Sequence, residues 1–294
     1  MDLSYTQAII TGFIQGITEL FPVSSLGHAV LVPAWVGGSW KALTTSANSP
    51  YLTITIALHC ASALALLLIF RNRWISLING GIASLRKKPT AESALFWRLV
   101  LGTIPVAVLG LIFEKSLREL FSKPLASAAF LTINGCILIL AERFSRRSKA
   151  SESIIESISE SISEEDSQIL DRVSPKMALT IGFGQSLALF AGISRFGITM
   201  SAGLMRGLSH RAASDFAFLL ALPVILGTSI VKLPKLFAPE YSHMMGPIIA
   251  GSITSFIFTY ASVTFLVKWF KTRTLYPFAI YCLVVGVASL IRFA

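Results

Sequence analysis

Long apolar runs separated by short charged segments dominate the chain. Six of these runs approach the ~20 residues with which an α-helix crosses the hydrocarbon core of a bilayer. Charged residues bound each run, as Arg71 and Arg73 do after the first and Lys268 and Lys271 do after the fifth. The pattern predicts six transmembrane helices, at residues 51–70, 94–113, 125–140, 212–231, 246–267 and 275–291.

Two further apolar regions are interrupted by small and polar residues and do not predict a simple span. Residues 8–21 run into Pro22 and Ser24, and residues 178–190 run into Gly192. Irregular backbone at membrane depth is tolerated only where protein buries it or where it lines a wet cavity. Both regions are therefore expected to form re-entrant helix hairpins.

The two broken regions resemble each other across a shift of 170 residues. The shift places residues 12–15 on 182–185 and residues 23–27 on 193–197. Each region precedes three predicted spans, so the chain is interpreted as an internal duplication. Repeat one covers about 1–141, repeat two covers about 173–294, and the Ser/Glu-rich stretch at about 142–172 is a solvated connector between them.

The distribution of basic residues predicts the orientation in the membrane. Four segments, 71–93, 141–176, 206–211 and 268–274, hold 16 of the 25 Lys and Arg residues and are expected on the cytoplasmic side. Both termini are then outside. Because three spans per half is an odd number, the two halves are inverted and their broken tips can meet near the midplane. No basic residue precedes the first apolar stretch, so a cleaved signal peptide is not expected.

Composition argues against a water-soluble globular enzyme. Hydrophobic residues make up 54% of the chain and charged residues only 14%, against about 25% charged in soluble domains. The net charge of +10 fits loops that face a cytoplasm and membrane lipids with anionic headgroups, and no nucleic-acid partner is expected. The three cysteines lie inside apolar runs and predict neither disulfides nor a metal cluster. The expected fold is an all-α integral membrane protein, and a homodimer is compatible with it.

Ionisable and hydroxyl side chains gather at the first break. Gln15 and Glu19 are four residues apart and share a helix face, Ser24 and Ser25 follow, and His28 lies three residues beyond Ser25. Charged groups at membrane depth are costly and are functional candidates by default. The cluster therefore predicts chemistry at this break.

A lone arginine stands at the second break. Arg195 lies among glycines immediately before another apolar stretch. Its planar fork matches phosphate oxygens, and free N–H groups at a helix start favour an anion. The duplication aligns Arg195 with Ser25, so a hydroxyl and an anion clamp are expected to face each other around a phosphate ester. The groups expected to bind substrate are Gln15, Ser24, Gly192, Ser194, Gly197 and Thr199.

These two breaks carry a family resemblance. Residues 15–28 (QGITELFPVSSLGH) look like the first signature of the bacitracin-resistance type undecaprenyl-diphosphate phosphatases, and residues 191–199 (AGISRFGIT) look like the second. The likeness covers the chain except for the Ser/Glu-rich insert. It implies a hydrolase of the inner membrane that removes the terminal phosphate of undecaprenyl diphosphate, recycles the cell-wall lipid carrier and confers bacitracin resistance. A site open to the outer face is expected.

The resemblance assigns the functional residues by position, to Glu19, Ser25, His28 and Arg195. It also implies a divalent cation, Mg²⁺ or Ca²⁺, held by Glu19 and the diphosphate oxygens. The expected mechanism has Ser25 attack phosphorus while His28 or Glu19 takes the hydroxyl proton. Direct attack by water, with Ser25 only binding phosphate, stays open.

Three residues depart from the family pattern. Gln15 stands where Glu is common, Ala191 replaces a proline, and Phe196 replaces a serine. His59, inside the first span, has no partner in sequence and is expected to be a buried, hydrogen-bonded structural residue.

The alternative function is a secondary transporter or lipid flippase, because inverted repeats with broken helices are the architecture of transporters. A hydroxyl beside a base and a metal ligand favours the phosphatase, since transport needs only binding groups.

Overall fold

A computed structural model describes residues 3–45, 51–113, 123–156 and 173–294, and within these ranges the chain is helical with no strand. The α-helices are α1 Tyr5–Thr18, α2 Ser25–Val36, α3 Gly38–Thr45, α4 Tyr51–Ile69, α5 Arg71–Leu85, α6 Ala91–Ile112, α7 Pro124–Glu156, α8 Pro175–Gln185, α9 Arg195–Met205, α10 His210–Lys232, α11 Met245–Trp269 and α12 Tyr276–Phe293. Short 3₁₀ segments lie at Ser186–Leu189, Leu233–Phe237 and Pro239–Met244.

Five helical segments of the described chain are long and apolar enough to cross a membrane. They are α6, α10, α12, Pro124–Arg146 of α7, and Tyr241–Trp269, which contains α11. Helices α4 and α5 together form a sixth candidate, although their axes differ by 84°. The prediction of an all-helical membrane protein is thereby confirmed. The count of six spans with two re-entrant hairpins stays a prediction.

Both broken regions form short helices that end and restart at capping serines. The chain leaves α1 after Thr18, and α2 begins where Ser24 Oγ accepts a hydrogen bond from the Gly27 N–H at 3.2 Å. In the second region Ser194 Oγ accepts from the Gly197 N–H at 3.1 Å, at the start of α9. Serine is a preferred N-cap because its hydroxyl satisfies an N–H group that lacks a partner in the helix. The breaks therefore follow from local sequence.

Close helix contacts connect the two halves of the chain. Helix α1 packs on α11, and a Cβ at Gly12 would overlap the carbonyl oxygen of Gly251. Helix α8 packs on α6, and a Cβ at Gly182 would overlap the carbonyl oxygen of Gly102. Glycine allows this approach because it has no side chain. The first helix of each half thus rests on a long helix of the other half.

The segment predicted as a connector begins inside the packed structure. Helix α7 continues beyond residue 142, and Glu142 is buried. Its carboxylate contacts His210 Nε2 at 2.8 Å and accepts from the Leu275 N–H at 3.2 Å. Glu142 therefore joins three elements of the fold. Residues 157–172 of the predicted connector lie outside the described residues.

Candidate active site

Polar side chains at the first break contact one carboxylate oxygen, Glu19 Oε2. Ser25 Oγ donates to Glu19 Oε2 at 2.5 Å, and Gln15 Nε2 donates to the same oxygen at 2.8 Å. His59 Nε2 lies 3.2 Å from it. Glu19 is only 6% exposed, and a buried carboxylate needs such donors to offset its desolvation. The predicted cluster of Gln15, Glu19 and Ser25 is thus present in the structure.

His59 joins this cluster, which its sequence context did not predict. Its Nδ1 lies 2.7 Å from the Thr55 carbonyl oxygen, so the expected structural hydrogen bond exists. Its other nitrogen faces Glu19. Both ring nitrogens point at acceptors, and only the doubly protonated ring can donate to both. Glu19 and His59 are 40 positions apart in different helices, so no spacing rule could have revealed the contact.

His28 lies outside the cluster, although it follows Ser25 by three residues. Its Nδ1 is 2.7 Å from the Ser24 carbonyl oxygen and its Nε2 is 2.8 Å from the Tyr281 hydroxyl. The imidazole also stacks on the Tyr281 ring, with centroids 5.6 Å apart. Both nitrogens are thus engaged, and the expected pairing of His28 with Ser25 is absent from the described contacts. His28 instead holds the backbone of the break that presents Ser25.

Arg195 faces the carboxylate cluster across a small polar cavity. Glu19, Ser24, Ser25, His59 and Arg195 all line this cavity. Within the described residues, Arg195 Nε and Nη1 are buried and have no hydrogen-bond partner. Leaving buried guanidinium donors unsatisfied is costly. The cavity therefore offers a site for an anion, and a phosphate oxygen fits these donors.

Hydrogen bonds hold the two breaks against each other. The Gly192 N–H donates to Ser24 Oγ at 3.1 Å, and Ser194 Oγ donates to the Phe21 carbonyl at 3.2 Å. Ser24 has a positive φ of 69°, which is strained for a residue other than glycine. Ser24, Gly192 and Ser194 were expected to bind substrate, and here they are engaged in joining the breaks. Such contacts position Ser25 relative to Arg195.

Asn134 of α7 joins both breaks as well, and sequence reasoning missed it. Its Nδ2 donates to the Pro22 carbonyl at 2.9 Å, and its Oδ1 accepts from the Ser194 N–H at 3.0 Å. The side chain is completely buried. Asn134 lies in an apolar run far from either break in sequence, so only the tertiary structure identifies it.

The remaining expected residues of the second break lie in the packed start of α9. Gly197 donates to Ser194, and a Cβ added to it would lie 3.1 Å from the Pro22 Cβ. Thr199 is buried, and its hydroxyl has no partner in the described part of the chain. Phe196, where the resemblance led us to expect a serine, is buried and packs into the core with its ring centroid 4.6 Å from that of Phe218. Its side chain is part of the core and offers no hydroxyl to a ligand.

A large apolar cavity leads to the polar one. It has a volume of about 400 Å³ and shares Leu26, His59, Ala188 and Arg195 with the polar cavity. Its walls are the first half of α4 and the second halves of α6 and α10. These helix ends are the ones remote from the basic segments 71–93 and 206–211. The combined site suits an amphipathic ligand with an anionic head and an apolar tail.

The donor set limits how a divalent cation could bind. The described residues contain no group of three or more His, Cys, Asp or Glu side chains placed to hold a metal ion. Glu19 offers one carboxylate, and the three donors above all use its Oε2. Mg²⁺ commonly binds through one or two carboxylates together with water and substrate phosphates. The residues thus fit a cation that takes most of its ligands from a bound diphosphate and water.

Known proteins are similar in sequence to this chain over nearly their whole length. A family model described as bacitracin resistance protein BacA matches residues 8–288. An undecaprenyl-diphosphatase from Mycolicibacterium paratuberculosis is 47% identical, with 99% of this chain and 98% of the relative covered. An undecaprenyl-diphosphatase 2 from Frankia alni is 43% identical over 100% of this chain and 99% of the relative. A second relative named undecaprenyl-diphosphatase 2, from Chromobacterium violaceum, is 36% identical, with 97% of each chain covered.

Proposed function

Because the chain belongs to the bacitracin resistance protein BacA family, we propose that it hydrolyses undecaprenyl diphosphate to undecaprenyl phosphate and inorganic phosphate. The match over residues 8–288 confirms the resemblance drawn from the two signatures. One observation carries the proposal: Arg195, whose Nε and Nη1 are buried without a partner among the described residues, lines the same polar cavity as the hydrogen-bonded pair Ser25 and Glu19, and this cavity adjoins an apolar one.

The two connected cavities account for the two parts of the substrate. The diphosphate binds in the polar cavity, where Arg195 donates to oxygens of the terminal phosphoryl group. The first isoprene units lie in the apolar cavity of about 400 Å³, and the rest of the tail extends into the bilayer. His59 and Arg195 line both cavities, so the polar and the apolar part of the site adjoin at these side chains.

Ser25 is the nucleophile of the proposed reaction. Its Oγ attacks the terminal phosphorus while its proton passes to Glu19 Oε2, to which it already donates at 2.5 Å. The bond from phosphorus to the bridging oxygen breaks, and undecaprenyl phosphate leaves. Water then hydrolyses the phosphoserine, which releases phosphate and returns the proton to Ser25. In the competing route, Glu19 activates water directly and Ser25 only binds phosphate.

The other polar residues of the site position the Glu19 carboxylate or stabilise charge on the phosphoryl group. Gln15 and His59 hold the Glu19 carboxylate in place through contacts to the same oxygen that accepts from Ser25. Arg195 stabilises the charge on the transferred phosphoryl group. A divalent cation, Mg²⁺ or Ca²⁺, would be held by Glu19 and the diphosphate oxygens, and would neutralise charge on them.

We further propose how the protein lies in the membrane. Six spans and two re-entrant hairpins, α1–α2 and α8–α9, form two inverted repeats in the bacterial inner membrane. The positive-inside rule puts the basic segments in the cytoplasm. The apolar cavity lies toward the opposite ends of α4, α6 and α10, which supports a site open to the outer face. Removing the diphosphate there deprives bacitracin of its target and confers resistance.

Phosphate release from a defined lipid tests the proposed reaction. The purified protein is reconstituted in vesicles with undecaprenyl diphosphate, and free phosphate and lipid movement across the bilayer are both followed, with and without chelator. We expect phosphate release that Arg195→Gln abolishes and that Arg206→Gln, a change at an exposed cation in the following loop, leaves intact. Lipid movement without phosphate release would instead identify a flippase.

A further inference from the structure

Helix α5 turns away from the membrane-spanning direction immediately after α4. Phe70 separates the two helices, and their axes differ by 84°. In the proposed topology the apolar helix α4 crosses the bilayer, and α5 then lies close to the plane of the membrane. It crosses the start of α6, where Ser93 Oγ donates to the Gly80 carbonyl at 2.7 Å. Trp97 Nε1 donates to Ser84 Oγ at 2.8 Å and fixes the far end of α5.

The surface of α5 divides into three faces. One face is buried against the protein through Leu77, Gly80 and Gly81. A second face is apolar and exposed, at positions three and four residues apart, and consists of Ile75, Ile78, Ile82 and Leu85. The third face is polar and exposed, and it consists of Asn72, Ser76 and Asn79. An in-plane helix at a membrane surface has this arrangement, because one exposed side meets hydrocarbon and the other meets water.

Basic residues flank both ends of α5. Arg71 and Arg73 lie in its first turn, and Arg86, Lys87 and Lys88 follow its last residue. Residues 71–93 contain these five cations and a single acidic side chain, Glu92. The exposed cations at residues 86–88 adjoin the apolar face through Leu85. This charge is complementary to anionic headgroups.

We propose that α5 is an interfacial helix that binds anionic phospholipids in the membrane leaflet on the side of the basic segments. Ile75, Ile78, Ile82 and Leu85 enter the region of the acyl chains, and Arg86, Lys87 and Lys88 contact the headgroup phosphates. The lipid is a structural partner held at the corner of α4, α5 and α6. This site is separate from the polar cavity, and its binding does not depend on the proposed reaction.

Fluorescence quenching by brominated lipids tests this site. Cys60, Cys136 and Cys282 are replaced by alanine, and a fluorophore is attached at Leu85→Cys. Vesicles contain acyl-brominated phosphatidylglycerol or phosphatidylcholine at the same mole fraction. One cation near the surface is enough to favour an anionic lipid about fivefold. We therefore expect stronger quenching by the phosphatidylglycerol, and weaker quenching by both lipids when the label is at Ser76→Cys on the polar face.

Matched charge changes show whether the preference is local. Combining Arg86→Gln, Lys87→Gln and Lys88→Gln should make the two brominated lipids quench equally. Removing the same number of exposed cations from the 268–274 segment, at Lys268, Lys271 and Arg273, should leave the preference unchanged. Equal quenching by the two brominated lipids in the labelled Leu85→Cys protein, with all its cations in place, would overturn the proposal. The absence of quenching by either lipid at residue 85 would also overturn it. Residue 85 is then exposed to water or, where the labels quench one another, is covered by a second copy of the chain.

Discussion

At the scale of single residues, the site depends on one carboxylate oxygen shared by three donors. Glu19 Oε2 accepts hydrogen bonds from Ser25 and Gln15 and lies next to His59 Nε2. Arg195 lines the same cavity, and its Nε and Nη1 have no partner among the described residues. The Gln15 contact follows from its spacing of four residues from Glu19, and Ser25 was expected in the same cluster, although its own spacing pointed to His28. The His59 contact was not predicted, because it joins the end of α1 to α4, which the sequence separates.

Arg195 is expected to act through the geometry of its guanidinium as well as through its charge. Arg195→Lys keeps the charge and loses the two-donor fork, so we expect turnover to fall by about 100-fold, as on losing one transition-state donor. The rate of phosphate release by purified protein measures this. The same substitution at the exposed Arg206 is the control and should have no effect. Near-normal turnover by Arg195→Lys would show that the reaction does not need the two-donor geometry of the guanidinium.

His59 is expected to matter because it donates to Glu19. His59→Gln can still donate a neutral hydrogen bond, whereas His59→Leu leaves the buried carboxylate short of one donor. Misplacing a catalytic group can cost up to about 100-fold, so the loss of the contact that holds Glu19 beside Ser25 should lower kcat of His59→Leu by about tenfold. His59→Gln should lie between His59→Leu and the parent. Equal rates for all three proteins would show that the contact between His59 and Glu19 does not contribute to catalysis.

At the scale of elements, both broken helices are held by a third one. Asn134 on α7 contacts the Pro22 carbonyl and the Ser194 N–H, and Gly192 donates to Ser24 directly. The breaks were predicted from the small and polar residues that interrupt the apolar runs, whereas Ser24 and Ser194 were expected to bind substrate and are helix caps in the structure. Asn134 was not predicted, since an isolated amide in an apolar run has no local signature. The breaks were therefore predictable, and the contact that joins them was not.

Asn134→Ala should disturb both stability and rate. It leaves the buried Ser194 N–H without a partner, at about 1–3 kcal/mol, and leaves the Pro22 carbonyl only the weak Cys282 thiol donor at 3.7 Å. We expect a lower melting temperature and a lower kcat with little change in KM, because Ser25 and Arg195 lose their relative placement. Ser127→Ala on the same helix is the control, because the described residues offer that buried hydroxyl no partner. A loss of stability with unchanged kcat would make Asn134 a purely structural residue.

At the scale of the whole molecule, apolar periodicity was enough to predict a helical membrane protein. Five of the described segments could span a bilayer, and α4 with α5 provides a sixth candidate. The bend at Phe70 was not predicted, because Arg71 and Arg73 indicated the end of a span and said nothing about the direction of the next helix. The crossing of α1 over α11 and of α8 over α6 depends on glycines whose partners lie in the other half of the chain.

Inverted repeats predict the sides on which exposed residues lie. Thr6 and Ala294 should react with an impermeant thiol reagent from the outer side when changed to cysteine in the cysteine-free protein. Lys88→Cys should react only after the membrane is permeabilised. The two termini are expected on one side because six spans separate them, and residue 88 is expected on the other side because one span, α4, separates it from the N-terminal helix. Labelling of residue 88 from the same side as residue 294 would contradict the odd number of spans.

Ser25 provides the most direct test of the proposed chemistry. Ser24→Ala removes a helix cap and the acceptor of the Gly192 N–H, so it should mainly lower stability, by about 1–2 kcal/mol. Ser25→Ala removes the nucleophile, so turnover should fall by orders of magnitude while the protein stays folded and binds the diphosphate.

The decisive measurement is the initial rate of phosphate release from undecaprenyl diphosphate by Ser25→Ala, compared with the parent and with Ser62→Ala. Ser62 is a control because its buried hydroxyl contacts Ser255 and Thr259, between α4 and α11. The account predicts a rate for Ser25→Ala at least about 100-fold below the parent, with the control unchanged. A rate above about a tenth of the parent, a barrier change below about 1.4 kcal/mol, would contradict a nucleophilic Ser25 and favour direct attack by water.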